Sequence, residues 1–288
     1  MVLFQHLDDP IVAVQSVSAQ RLLAFGVGRR LTSRLLSADR DLAASDAVPL
    51  VALHGISRNA RAIWQAFGPL AASEGRTLLV PRFSADQWPK FQQIGRVRPD
   101  LLLLDLFQQA GLAGQRVDLF GFSGGAQLAH RFAMLYPHRV GTLHLAAPGW
   151  YTLPDAMQPW PLGLGQGRSR RFRRFNAASL SRLQLHQYLS LPVRVWVGAQ
   201  DIGRDASLRQ TAELDALQGK TRLDRAFRYV EIFERTARSM GIAPDIDLTV
   251  LPGCGHDFTE CDRIGGLAAR VFRSGGCRFP LSCTKGAN

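Results

Sequence analysis

The chain has 288 residues, 46% of them hydrophobic, a length that buries one sizeable core and is common for a single α/β domain. Lysine and arginine number 35 against 23 aspartate and glutamate, a formal net charge of +12 that suggests attraction to anionic surfaces or substrates. The one dense arginine cluster, Arg168, Arg170, Arg171, Arg173 and Arg174, has no nucleic-acid motif around it, and no apolar run is long enough to span a bilayer, so neither a nucleic-acid partner nor stable membrane insertion is expected.

Residues 1–24 place Asp8, Asp9 and Pro10 where a signal peptide carries its apolar centre, which argues against export by that route. Residues 48–54 form a short apolar run ending in Gly55 and read as a buried strand that delivers a loop. Residues 59–72 read as a helix, 77–80 as a strand, 99–110 as a helix opened by proline, and 116–121 as a strand. Residues 125–136 carry Ala126, Leu128, Ala129, Phe132, Ala133 and Leu135 at helical spacing and are stopped by Pro137. Further strands are expected at 140–146, 193–197 and 246–251. Strands alternating with helices require crossover connections, so the expected class is α/β, a mostly parallel, doubly wound sheet in one domain.

Residues 148–191 break the alternation. They hold Trp150, Tyr151, Trp160, Phe172 and Phe175 between two strands, too long a stretch for an ordinary connection, and are read as a cap over the site. Its aromatics either line a pocket or pack the insertion onto the domain; Trp150 and Tyr151, with Phe122, are the candidate substrate-binding residues. A second insertion, 206–240, shows an amphipathic stripe of Leu223, Ala226, Phe227, Val230, Phe233 and Ala237 that is expected to face the core. The four cysteines, Cys254, Cys261, Cys277 and Cys283, all come late and lack paired C-x-x-C steps, which favours reduced thiols in a cytoplasm over a disulfide framework or a zinc site.

The chemistry is carried by Gly121-Phe-Ser-Gly-Gly125, a G-x-S-x-G pattern placed directly after a strand and before a helix. A serine in so tight a turn is strained, and small neighbours permit the strain. The turn lifts Ser123 Oγ clear of the sheet and aims the Gly124 N–H at a developing oxyanion. A serine hydroxyl needs a base, and the base needs a carboxylate to hold its tautomer. His256 and Asp201 each follow a strand's carboxyl end, in the chain order Ser, Asp, His. Asp205 is the main competitor for the acid, and Asp257 a weaker one. The loop after His54 supplies the second oxyanion donor, Ile56 N–H, with Ser57 as the alternative. His54 is read as a structural residue that hydrogen-bonds this loop, and Arg58 as either a solvated arginine or a holder of a substrate carboxylate. His6, His130, His138, His144 and His186 form no second cluster with carboxylates at ligand spacing, and no dinucleotide fingerprint is present, so neither metal nor cofactor is expected.

Together, Leu53-His-Gly-Ile-Ser-Arg-Asn59, Gly121-Phe-Ser-Gly-Gly125, Ala147-Pro-Gly-Trp-Tyr-Thr-Leu-Pro154, Gly198-Ala-Gln-Asp201 and Leu251-Pro-Gly-Cys-Gly-His256 resemble the α/β-hydrolase superfamily. More loosely, the stretch 48–272 resembles its esterases of the polyhydroxybutyrate-depolymerase and feruloyl-esterase type. The resemblance implies a carboxylic-ester hydrolase working on a small-molecule ester through an acyl-Ser123 intermediate. Amide, thioester or lactone hydrolysis by the same triad, and a noncatalytic binding protein on the same scaffold, are the alternatives. Oligomeric state has no signature in the sequence.

Overall fold

The computed structural model describes the backbone of residues 11–15 and 23–26, and residues 47–95, 97–165 and 176–275. Eight strands form one sheet: β1 (Ile11–Gln15), β2 (Leu23–Gly26), β3 (Leu50–Leu53), β4 (Leu78–Pro81), β5 (Val117–Phe122), β6 (Val140–Ala146), β7 (Val193–Gly198) and β8 (Ile246–Leu251). Their order across the sheet is β2-β1-β4-β3-β5-β6-β7-β8. From β4 to β8 every neighbouring pair is parallel, while β1 runs antiparallel to both β2 and β4.

The helices are α1 (Ala60–Ser73), α2 (Pro99–Gln109), α3 (Gly124–Leu135), α4 (Ala177–Leu183), α5 (Leu185–Leu189), α6 (Ala212–Gln218), α7 (Arg222–Ser239), α8 (Phe258–Arg263) and α9 (Leu267–Gly275). Local chemistry sets several of their starts. Asn59 accepts the Ala62 N–H at the start of α1, Pro99 opens α2 where no N–H is needed, and Thr221 with Asp224 closes a reciprocal capping box on α7. Each strand between residues 48 and 251 expected from the sequence is present, shifted by at most two residues. The hairpin of β1 and β2 was not foreseen.

Strands β3 to β7 are buried on both faces, as the interior of a parallel sheet requires. Side chains alternate along a strand, so β3 sends Val51 and Leu53 into one core and Leu50 and Ala52 into the other. The first core takes Phe107 from α2, Phe132 from α3, and Tyr229 and Phe233 from α7. The second takes Phe67 from α1, Phe258 from α8 and Phe272 from α9.

Part of the 148–191 insertion, residues 166–175 with Phe172, Phe175 and the arginine cluster, lies outside the described residues. In the remainder, Tyr151, Leu153 and Leu164 are buried in the first core, and Trp160 packs against it. The stripe on α7 needs one correction. Ala226, Phe233 and Ala237 are buried, but Phe227 is 55% exposed, and Tyr229 with the arginines Arg222 and Arg225 occupies the buried face instead. Consecutive helical residues point about 100° apart, so centring the face on 222, 226, 229 and 233 turns Phe227 outward. No helix among the described residues is long and apolar enough to cross a membrane.

Candidate active site

Ser123 stands between β5 and α3 with φ 52° and ψ −113°, in the half of backbone space that L-residues rarely enter. The surroundings hold it there. Its N–H donates to the Ala146 carbonyl at 2.8 Å, and its carbonyl accepts the Gln127 N–H at 3.1 Å. A Cβ on Gly121 would collide with the Gly125 backbone, and one on Gly125 with the Leu53 carbonyl, so both glycines are required by close approach. The strain is thereby fixed at a position where Oγ projects beyond the carboxyl end of the sheet.

Two loops converge on that hydroxyl. Ser123 Oγ lies 3.0 Å from His256 Nε2, and His256 Nδ1–H donates to Asp201 Oδ2 at 2.8 Å. The Nδ1–H tautomer follows from these contacts, since the carboxylate accepts only. Asp201 sits in the turn after β7 with a buried side chain, and its second oxygen, Oδ1, meets Arg222 Nη1 at 3.3 Å. The His256 loop after β8 is anchored where the Gly255 N–H donates to Glu260 Oε2 at 2.8 Å. Phe122 stacks on the His256 ring, centroids 5.4 Å apart, and is backed by Phe258.

The competing acids have other partners. Asp257 caps α8 by accepting the Glu260 N–H at 2.8 Å. Asp205 accepts from Arg222 Nη1 at 3.0 Å and from the Ser207 N–H at 2.7 Å. The Arg222 hydrogen bond, more than any other influence, holds its carboxyl well below the usual range.

Opposite the serine, the loop after β3 brings Ile56 to Gly124: a Cβ on Gly124 would stand 3.4 Å from Ile56 N. Neither the Ile56 nor the Gly124 N–H donates to any group among the described residues. Two backbone donors without a partner among the described residues thus lie next to each other at the residue after Ser123, one of them at a helix N-terminus. His54 locks the loop, its Nε2 accepting the Phe83 N–H at 2.9 Å and its Nδ1–H donating to the Gly55 carbonyl at 2.8 Å. Burial pushes its pKa down to about 4, so it is neutral and no second base.

No family model and no curated protein matches the sequence. Solved structures do. The chain is similar to LpqC, a poly(3-hydroxybutyrate) depolymerase from Bordetella parapertussis, with a TM-score of 0.66, 26% identity, and coverage of 82% of this chain and 83% of that one. It is similar to poly(aspartic acid) hydrolase-1 from Sphingomonas sp. KT-1, with a TM-score of 0.63, 22% identity, and coverage of 79% and 89%. It also matches FphF, a fluorophosphonate-binding serine hydrolase of Staphylococcus aureus, with a TM-score of 0.50, 12% identity, and coverage of 93% and 100%. The chain has the α/β-hydrolase fold.

Within this hydrolase fold, the residues singled out by sequence divide. Ser123, Asp201, His256, Gly124 and Ile56 come together at one point. Phe122 is beside them but buried beneath His256, where it supports the ring. Tyr151 is wholly buried and stacked on Tyr229, centroids 4.1 Å apart, so it packs the insertion onto α7 rather than making the substrate contact expected of it. Trp150 is 6% exposed, with the Arg131 guanidinium 4.2 Å and the Arg209 guanidinium 5.3 Å from its ring centre. Arg58 is not freely solvated. It donates to the Trp88 and Pro89 carbonyls at 3.3 Å and lies over the Phe91 ring.

Sequence reasoning missed Arg222, Gln127 and Arg131. Gln127 and Arg131 follow Ser123 at four-residue steps, a spacing that marks one face of α3 and was available from the sequence. Arg222 had no such signal. Among the described residues no group of three or more His, Cys, Asp or Glu side chains is arranged to hold a metal.

Proposed function

We propose that the chain hydrolyses a carboxylic ester through an acyl-Ser123 intermediate, with His256 as base and acid and Asp201 as its orienting carboxylate. The observation that carries the reading is the relay Asp201 Oδ2 to His256 to Ser123 Oγ, with links of 2.8 and 3.0 Å. The structural likeness to an ester-cleaving depolymerase at 26% identity supports it.

In this mechanism Ser123 Oγ attacks the ester carbonyl as its proton passes to His256 Nε2, and buried Asp201 stabilises the imidazolium without itself taking the proton. The carbonyl oxygen becomes an oxyanion held by the Ile56 and Gly124 N–H groups. Collapse expels the alcohol, which takes the proton from Nε2. Water then repeats the sequence on the acyl-serine, giving the acid and restoring Oγ–H. The 148–191 segment serves as the cap of a single domain, and the substrate is a small molecule. A cytoplasmic setting fits Cys254 and Cys261, which are free thiols.

Labelling with a fluorophosphonate followed by mass mapping tests the reading. Stoichiometric labelling at Ser123, absent in Ser123→Ala, is expected, together with a loss of turnover on the order of a millionfold in that variant. A folded protein that does not label is a binding protein on a hydrolase scaffold.

A further inference from the structure

Buried arginines in this chain are answered by carboxylates, with one exception among the described residues. Arg76 meets Asp118, Arg222 meets Asp201 and Asp205, and Arg225 meets Asp215. Arg131 is as deeply buried, at 1% exposure, and pairs with none of the described acids. It donates through Nε to Thr152 Oγ1 at 3.0 Å and through Nη1 to the Gln92 carbonyl at 2.6 Å, while Nη2 is buried without a partner. A second cation, the exposed Arg209, approaches the same Trp150 ring. Of the acids near Arg209 in sequence, Asp205 is bound by Arg222, and Asp215 is shared by Arg204 and Arg225. Burial first, and the Arg209 charge second, push the Arg131 pKa down to about 9, so Arg131 remains a cation at neutral pH and is repelled by the Arg209 guanidinium.

This uncompensated charge is tied to the reaction site. Ser123, Gln127 and Arg131 share one face of α3, and the helical rise puts Arg131 about 12 Å along the axis from Ser123. Gln92, whose carbonyl Arg131 holds, also lies against Gly124: a Cβ there would stand 3.6 Å from Gln92 Cβ. Gln127 reaches toward the strand of chain that carries Trp150, its Nε2 3.1 Å from where a Gly149 Cβ would be. Arg225 fixes that strand by donating to the Gly149 carbonyl, and holds the Arg209 carbonyl at 3.0 Å as well.

We propose that the exposed Arg209 guanidinium, next to buried Trp150 and Arg131, binds a carboxylate at the far end of the substrate, so that the bond cleaved at Ser123 belongs to an anionic ester. Arg209, being exposed, holds the anion directly; Arg131 acts from behind it, where a low dielectric leaves its charge little screened. An anion relieves the repulsion between the two guanidinium groups, and a neutral chain end does not. This inference rests on Ser123 being the nucleophile.

The test compares mono-p-nitrophenyl esters of straight-chain dicarboxylic acids, glutarate to suberate, with neutral p-nitrophenyl alkanoates of equal length. At one chain length kcat/KM should favour the anionic ester by on the order of tenfold, mainly through KM, as one charge-assisted contact supplies. Arg209→Gln should bring that ratio to about one, and Arg209→Glu should invert it. Arg131→Met, which empties a buried position, is secondary because it need not fold. A ratio near one at every length, or one indifferent to both Arg209 variants, overturns the subsite while leaving ester hydrolysis intact. If no ester is turned over, the nucleophile reading fails, and the subsite is judged by calorimetric titration with suberate: binding weakened by Arg209→Gln sustains it, and no millimolar binding overturns it.

Discussion

Replacing Arg222 by methionine separates what holds the acid of the relay from what the relay does. The guanidinium is 1% exposed, meets Asp201 Oδ1 at 3.3 Å and Asp205 Oδ2 at 3.0 Å, and donates to Ser207 Oγ at 2.7 Å. Methionine fills much of the same volume without the charge. Asp205, with 48% of its side chain exposed, returns to water at little cost. Asp201 is 1% exposed and has no such recourse. Removing one partner of a buried ion pair costs about 3–5 kcal/mol. For a domain of this size that lowers Tm by roughly 6–20 °C. The further change Asp201→Asn removes the charge that needed a partner, so the double variant should recover much of the loss, a coupling read from the four melting curves of a double-mutant cycle. Activity behaves differently. His256 keeps its bond to Asp201 Oδ2, so the folded single variant should lose far less than the roughly 10⁴-fold expected of Asp201→Asn. A Tm within a degree or two of the parent, or a double variant no more stable than Arg222→Met alone, refutes the reasoning.

Asp205→Asn should leave turnover within about threefold of the parent, because Asp205 is bonded to Arg222 and Ser207 and not to His256, whereas Asp201→Asn should not. Because Arg222 depresses the Asp205 carboxyl, the stability it contributes is present above the unfolded carboxylate pKa of about 3.9 and is lost as pH falls through the lower folded value. The Tm gap between parent and Asp205→Asn should therefore be open at pH 7 and narrow below about pH 4; a gap that widens on acidification contradicts this. Gly124→Ala puts a Cβ 2.7 Å from Ile56 Cγ2, forcing the two oxyanion donors apart, and should lower kcat by about 10²–10³ with a nearly parental melting curve. Gly125→Ala drives a Cβ into the Leu53 carbonyl, a backbone atom that does not yield, and should abolish soluble folded protein, as circular dichroism would report.

The parallel part of the sheet was legible because its central strands are mainly apolar between turn signals, the pattern that burial on both faces imposes, while the edge strand β8 alternates as Ile246-Asp-Leu-Thr-Val-Leu251. The hairpin of β1 and β2 was not. Its strands are five and four residues long, and what joins them to the sheet is the antiparallel pairing of β1 with β4, more than fifty residues away, which no local pattern encodes. Phe227 misled for a related reason. On α7 the apolar residues fit two overlapping helical faces, and the packed one is completed by Arg222 and Arg225, which a hydrophobicity pattern scores as solvent-facing.

The same logic divides the site. Ser123, Asp201 and His256 were readable because a parallel sheet presents all its strand ends on one side, so residues just past three strands converge whatever their separation in sequence. The second donor followed from the loop after β3 for that reason too. The burial and pairing of the charges around these residues were not readable, even where spacing placed Arg131 on the α3 face, because nothing local distinguishes an arginine that is buried from one that is solvated. Arg222, Arg225 and Arg131 look alike in sequence, yet the first two are buried with carboxylates and the third with none. A buried ion pair is accounted for by its partner. A buried, unpaired cation on the helix face that begins at the nucleophile lacks that account within the described residues, and the substrate is where its counter-charge is to be sought.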